Sequence, residues 1–205
     1  MNHYFTDNRH LAQNRKEITF RFSCFTCHFL TDNGVFCKDH VDFGTRTLLD
    51  AVHASGLLGE EVLDLGCGYG VIGITLKKQY PDSAFTLAEV NPRALELAQE
   101  NAARNGAEVT CVCSDVYSGV EGNTFTDILT NPPIRAGKKV IYQMFEQAYD
   151  HLREGGRLWV VTRKQQGAAS AREKIAQVFG SCEIISREKG YLVLLAKKVD
   201  KLTGD

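Results

Sequence analysis

The residues best suited to chemistry are Asn131-Pro132-Pro133-Ile134, at the end of the apolar run Phe125–Thr130. Neither proline can donate a backbone hydrogen bond, and each biases its predecessor toward an extended backbone. A carboxamide just before them sits on a stiff chain and offers one acceptor and two donors. The carbonyls beside the prolines also stay available. Such a corner can hold an exocyclic amine between two acceptors, the Asn131 side-chain oxygen and a backbone carbonyl, and present its lone pair to a methyl donor. The plain alternative is a turn that ends a strand.

A second group is Asp64-x-Gly66-x-Gly68-x-Gly70. Gly68-x-Gly70-x-x-Gly73 also satisfies a dinucleotide fingerprint, with Glu89 near the spacing of its ribose-binding acid. A pyrophosphate gains from helix-N-terminal amides and has no use for a carboxylate beside it. S-adenosylmethionine has no phosphate but carries an ammonium and a sulfonium, which favour an adjacent carboxylate. Asp64 with the three glycines therefore suits that cofactor better, its carboxylate facing the ligand's amino-acid end. Glu89 is expected to chelate the ribose hydroxyls, and Asp115 to accept from the adenine amino group. For any one acid the alternative is a solvated loop carboxylate, but ligands of open α/β sheets bind where these three fall, at the carboxyl ends of successive strands.

These groups need elements to position them. Phe20, Phe22, Phe25 and Phe29, with the turn signal Thr31-Asp32-Asn33-Gly34, predict a hairpin of about 18–30 against 34–37. A helix follows Val41-Asp42-Phe43-Gly44-Thr45, with Leu48, Leu49 and Val52 on one face and Gly56 as its stop. Strand and helix then alternate. Asn91-Pro92 caps the helix that carries Leu95, Ala98 and Ala102. Val140 to Leu152 keeps helical spacing, and Gly155-Gly156 turns into a strand at about 157–161. A helix over 168–179 leads to a terminal hairpin turning at Arg187-Glu188-Lys189-Gly190. The expected class is α/β: a mostly parallel, doubly wound Rossmann-like sheet with an antiparallel C-terminal strand and an N-terminal hairpin extension. One domain accounts for the chain, with arm, hairpin and first helix in 1–56, the core in 57–198 and a tail in 199–205.

Composition bounds the function. The chain of 205 residues is 43% hydrophobic and 24% charged, ordinary for a globular protein. It has no apolar run of the roughly 20 residues that a membrane span needs, and its N-terminus reads as no signal peptide, so a cytoplasmic protein with no membrane partner is expected. Charge is segregated: the first 130 residues carry 10 Lys/Arg and 17 Asp/Glu, the remainder 14 and 8. Arg135, Lys138 and Lys139 follow the Asn-Pro-Pro corner, and Arg163-Lys164-Gln165-Gln166 lies after the strand that carries Trp159, itself read as core. A basic edge beside the pocket suits a polyanion such as RNA, whose phosphates would position it without specifying sequence.

Cys24-x-x-Cys27 with Cys37-x-x-His40 offers four metal donors. On one strand positions 24 and 27 face opposite sides, so no metal is expected. The odd count of seven cysteines reads as reduced thiols, mostly buried.

From about Phe20 to Lys197 the chain resembles the small-domain class I methyltransferases, most of all the 16S ribosomal RNA guanine-N2 enzymes. The resemblance rests on Gly34-Val35-Phe36, Val41-Asp42-Phe43-Gly44-Thr45, Asp64-Leu65-Gly66-Cys67-Gly68-Tyr69-Gly70 and Thr130-Asn131-Pro132-Pro133. It implies that Asp64, Gly66, Gly68, Gly70, Glu89, Asp115 and Asn131 bind S-adenosylmethionine, and that Asn131 and Pro132 hold the target amine. Pro133, Ile134, Arg135, Lys138 and Lys139 are then substrate-binding, and the partner is ribosomal RNA or a ribosomal subunit. Many relatives have an aromatic residue after the prolines, stacking on the base; Ile134 stands here, leaving Phe36 or Phe43 as stand-ins. The extra N-terminal domain of some relatives is expected to be missing. Two other functions fit parts of the pattern: a protein glutamine N-methyltransferase, and a non-catalytic RNA-binding module that keeps the fold.

Overall fold

A computed structural model describes residues 14–199. Most of the expected N-terminal arm, with Tyr4 and Phe5, and nearly all of the expected tail lie outside the described residues. The chain opens with a hairpin of β1 (Lys16–Phe22) and β2 (Phe25–Thr31). Then come α1 (Phe43–Ser55), β3 (Glu61–Leu65), α2 (Val71–Gln79), β4 (Ala84–Glu89), α3 (Pro92–Arg104), β5 (Thr110–Cys113) and β6 (Phe125–Thr130). The second half adds α4 (Lys138–His151), β7 (Leu152–Arg163), α5 (Ala168–Phe179), β8 (Glu183–Glu188) and β9 (Tyr191–Lys197). Seven strands form one sheet in the order β5-β4-β3-β6-β7-β9-β8, parallel except for β9. This is the doubly wound class I methyltransferase architecture.

Alternation along the strands divides the core between the two faces of the sheet. Leu129, Trp159 and Val193 pack under α1, α2, α3 and the hairpin. Ile128, Leu158, Val160 and Leu194 pack under α4 and α5. Trp159 is fully buried, and its indole N–H donates to Asp127 Oδ1 at 2.8 Å. The helix signals act as read: Asn91 accepts from Arg93 N at 3.1 Å with Pro92 behind it, and Gly56 ends α1 in the left-handed region at φ 60°.

The N-terminal hairpin turns at Ser23-Cys24, with Ser23 at φ 49°, and pairs Phe22 with Phe25, Phe20 with Cys27 and Ile18 with Phe29. The expected turn at 31–34 exists but leads into a loop instead of a return strand. Parity explains the difference. Phe20 and Phe22 are even, Phe25 and Phe29 odd, so one continuous strand would send them to opposite faces. A two-residue turn puts Phe20, Phe22, Cys27 and Phe29 together in the core. Cys24 is thereby exposed at the turn while Cys27 is buried; all seven cysteines are free, and Cys113 is also exposed. Among the described residues no three His, Cys, Asp or Glu side chains form a metal-binding group, and no helix is long and apolar enough to cross a membrane.

Two details sharpen the second half. The strand expected near 157–161 runs through Gly155-Gly156 as a bulge, where the register slips between Phe125 and Asp127. The terminal hairpin turns at Lys189-Gly190 with φ 44° and 83°, a pair of positive angles that suits a tight two-residue turn.

Candidate active site

The chain winds outward from β3 through β4 to β5, then returns to lay β6 on the other side of β3. The crevice at this reversal is where open α/β sheets bind ligands. Here Thr130 Oγ1 donates to the Leu65 carbonyl at 2.8 Å, bringing the Asn-Pro-Pro corner beside the glycine loop. A cavity of about 500 Å³ opens at this edge, walled by the glycine loop, the ends of β4 and β5, the 35–45 segment, residues 131–136 and Tyr191.

Gly66, Gly68 and Gly70 all have positive φ, at 73°, 57° and 92°. Side chains rarely adopt these angles, so the glycines give the loop its shape; Gly66 and Gly68 leave an open floor on the cavity, whereas Gly70 is off the wall and packs closely against Ile74. Several loop amides are already committed to protein acceptors. Gly66 N and Cys67 N donate to the Ala88 carbonyl at 2.9 and 3.1 Å, and Gly68 N donates to Glu89 Oε2 at 2.8 Å. At the start of α2, Gly73 N donates to Asp64 Oδ2 at 2.8 Å. Amides committed to carboxylates cannot cradle a phosphate, and the acids would repel one. The dinucleotide reading is disfavoured on these bonds.

Glu89 lies on the wall, nearly buried, with Oε1 accepting from Asn91 N at 2.8 Å. Burial pushes its carboxyl up, and the amides of Asn91, Gly68 and Val90 pull against that. Asp115 is on the wall and exposed. Asp64 departs from expectation. It is fully buried beneath the loop, and its side chain does not form part of the cavity wall. Its Oδ1 has no hydrogen-bond partner. Burial raises its carboxyl to about 7, the Gly73 amide opposing and Glu89 adding to the rise. Its place makes it a positioning residue for the loop. The cavity nonetheless fits the expected sulfonium cofactor: Asp42, Glu89 and Asp115 all line it, together with Gly66 and Gly68, suiting a ligand with positive charge and hydroxyls.

At the corner, Pro132 is buried and its carbonyl accepts no hydrogen bond among the described residues, whereas Pro133's accepts from Ala136 N at 2.9 Å. Asn131 Nδ2 donates to Asp42 Oδ2 and to Thr45 Oγ1, both at 3.0 Å. Asp42 also caps α1, the same Oδ2 accepting from Thr45 N at 3.1 Å. An ionised carboxylate only accepts, so it selects which end of the amide it meets. Both amide donors are thereby used, and Asn131 Oδ1 remains as the acceptor.

Pro132, Pro133, Ile134 and Arg135 line the cavity; Lys138 and Lys139 do not, lying exposed in the first turn of α4. Of the expected aromatic stand-ins, Phe36 is on the rim and 51% exposed, and Phe43 is off the wall. Reading the sequence missed Asp42, Thr45, Val116 and Tyr191. The 41–45 stretch had drawn notice without a role, and Asp42-x-x-Thr45 is a helix-cap pattern. Val116 stands on the wall at φ 54°, an unusual angle for a β-branched residue, braced by Ser114 Oγ, which donates to its carbonyl at 2.8 Å. Tyr191 gave no local signal.

Residues 26–195 match the family described as "Methyltransferase small domain". The chain is 43% identical to "Uncharacterized protein YbxB" of Bacillus subtilis (strain 168), the match covering 96% of this chain and 98% of that one. It is 35% identical to "Ribosomal RNA small subunit methyltransferase C" of Actinobacillus pleuropneumoniae, over 80% of this chain and 50% of that one. Among solved structures it is similar to the Thermus thermophilus "16S rRNA N2 G1207 methyltransferase (RsmC) in complex with AdoMet and Guanosine", with a TM-score of 0.82 and 25% identity, over 90% of this chain and 50% of that one. The chain thus spans about half the length of the two relatives with a named activity.

Proposed function

Because the chain belongs to the methyltransferase small domain family, we propose that it methylates an exocyclic amine of ribosomal RNA, the N2 of a guanine in the small subunit, in the cytoplasm. The cofactor is S-adenosylmethionine. One observation carries the site: the Asn131 amide is locked by Asp42 and Thr45 with its oxygen left over, beside a Pro132 carbonyl that accepts no hydrogen bond among the described residues.

When bound, S-adenosylmethionine supplies an electrophilic methyl on a neutral leaving group. The chain's own part is placement. Asn131 Oδ1 and the Pro132 carbonyl accept the two N–H bonds of the amine and turn its lone pair toward the methyl at near-attack distance, roughly 3–3.5 Å. Positive charge developing on the nitrogen during transfer would be met by these two acceptors, whose bonds would strengthen as it grows. The spare proton then passes to solvent; no general base is assigned. Glu89 and Asp115, on the cavity wall, would hold the ribose and adenine of the cofactor, with Asp64 supporting the loop beneath. Arg135, Lys138 and Lys139 contact phosphates beside the pocket, and Pro133 and Ile134 pack on the base.

The test is transfer of label from tritiated cofactor onto unmodified 30S subunits, 50S subunits and naked RNA, followed by nucleoside analysis. N2-methylguanosine in small-subunit RNA is expected. Label confined to protein glutamine, or no transfer to any RNA, would overturn the reading.

A further inference from the structure

We propose that Tyr191 supplies the flat face on which the target base packs, beside the Asp42 that holds the amine-gripping Asn131. This inference rests on the function proposed above and names how that site recognises its base. The corner itself ends in Ile134, an aliphatic residue. Among the described residues three aromatic rings line the cavity: Phe36, Tyr69 and Tyr191. Tyr69 is committed elsewhere, nearly buried with its hydroxyl donating to the Cys37 carbonyl at 3.2 Å. Phe36 stands on a loop at the rim. Tyr191 is half-buried and belongs to the central sheet, where it pairs with Arg163 of β7 and Glu188 of β8.

Two contacts tie Tyr191 to the catalytic corner. The edge of its ring lies near the Asp42 carboxylate, whose Oδ2 also takes Asn131 Nδ2 at 3.0 Å. Its ring occupies the space over Gly44, in the first turn of α1. A Cβ there would fall 2.7 Å from Tyr191 Cε1 and 2.8 Å from Asp42 Oδ2. Gly44 does not have a positive φ, so the glycine serves space, not backbone conformation. The carboxylate that holds the amine acceptor and the edge of the ring thus border the same space over Gly44. The Arg163 guanidinium lies 5.8 Å from the Tyr191 ring centroid, and both line the cavity. Aromatic rings with neighbouring arginine planes are how unpaired RNA bases are held.

The test uses Tyr191→Phe, Tyr191→Leu and Phe36→Leu in the full chain. Methyl transfer to small-subunit RNA is one readout. The other is fluorescence quenching of 2-aminopurine riboside with S-adenosylhomocysteine bound, since that purine carries its amine where guanine does. Tyr191→Phe should stay within about threefold of wild type. Tyr191→Leu should lose about 5- to 150-fold in kcat/KM, from the usual range for one stacked base, and lose the quenching, with S-adenosylhomocysteine affinity unchanged. Phe36→Leu, at an exposed position, should quench like wild type. The inference is overturned if Tyr191→Leu transfers within twofold of wild type, if the Phe variant falls as far as the Leu variant, or if Phe36→Leu abolishes quenching. Should Tyr191→Leu not fold, the Phe36→Leu result still decides. Quenching by wild type without transfer to any RNA would keep the Tyr191 face and sink the methylation reading alone.

Discussion

Asn131 and Asp64 sit at matched sequence positions, each at or near the end of a strand, yet the fold uses them in opposite ways. Asn131 keeps a lone acceptor toward the cavity because Asp42 and Thr45 consume its donors. Asn131→Ala should leave S-adenosylhomocysteine binding and RNA affinity nearly intact. It should lower single-turnover transfer on the order of 100-fold or more, since the acceptor acts mainly as charge develops. A rate within about threefold of wild type, under roughly 0.7 kcal/mol, would leave Asn-Pro-Pro as a turn. Asp64 faces inward, raised from an ordinary 3.8 to about 7. Between about pH 4 and 7 the folded protein thus holds a proton the unfolded chain has lost, and this residue weakens the fold as pH rises through that window. Asp64→Asn does not titrate and still offers Gly73 N an acceptor. Thermal melts of the ligand-free proteins should show the variant gaining on wild type from pH 4 to 7. A gap that does not move with pH would mean Asp64 is ionised throughout.

The elements reach the site through amide side chains as much as through apolar packing. Asn101 of α3 accepts from Leu30 N at 2.6 Å and donates to Leu30 O at 3.0 Å, serving the edge of β2 as a neighbouring strand would. Its other N–H reaches the carbonyl of Tyr69, in the glycine loop, at 2.9 Å. Asn105 repeats the pattern on His28, at 2.9 and 2.8 Å. Helix α3 therefore fastens the hairpin and the cofactor loop together. Asn101→Leu keeps the volume but leaves buried partners unpaired. It should cost about 1–3 kcal/mol in urea denaturation and weaken S-adenosylhomocysteine binding, because the Tyr69 carbonyl loses its anchor. Unchanged cofactor affinity in the destabilised protein would confine Asn101 to the hairpin.

At the scale of the molecule, the strand order gathers the basic second half onto the edge that carries the cavity. Arg135 and Arg163 stand on the cavity wall, and Lys138 and Lys139 open α4 beside it. Two lysines in a first turn oppose the helix dipole, so their position is better explained by an outside anion than by stability. Lys138→Glu with Lys139→Glu should therefore raise thermal stability slightly. It should also weaken RNA binding and flatten its salt dependence by about 0.7–0.9 in slope per lost phosphate contact. An unaltered slope would place the RNA on another side. Cofactor affinity should not change, because neither lysine is on the cavity wall.

By itself the sequence determined the alternation of strand and helix, the helix caps and stops, the glycine loop and the stiff corner at Asn131. Each follows from local backbone preference or from a side-chain period of 2 or 3.6, which neighbouring residues state without help. The hairpin turn was legible in principle from the parity of Phe20, Phe22, Phe25 and Phe29, a period-2 argument. Tertiary structure alone decided what meets what. Asp42 and Asn131 stand 89 residues apart and share a hydrogen bond because β6 returns beside β3 and α1 is laid across its end. Asp64 lies under the loop because the loop amides need acceptors once water is excluded. Tyr191 enters the cavity because β9 inserts antiparallel beside β7, placing its first residue at the edge where the parallel strands end. Contacts of that range depend on strand order and packing, and no window of the chain carries them.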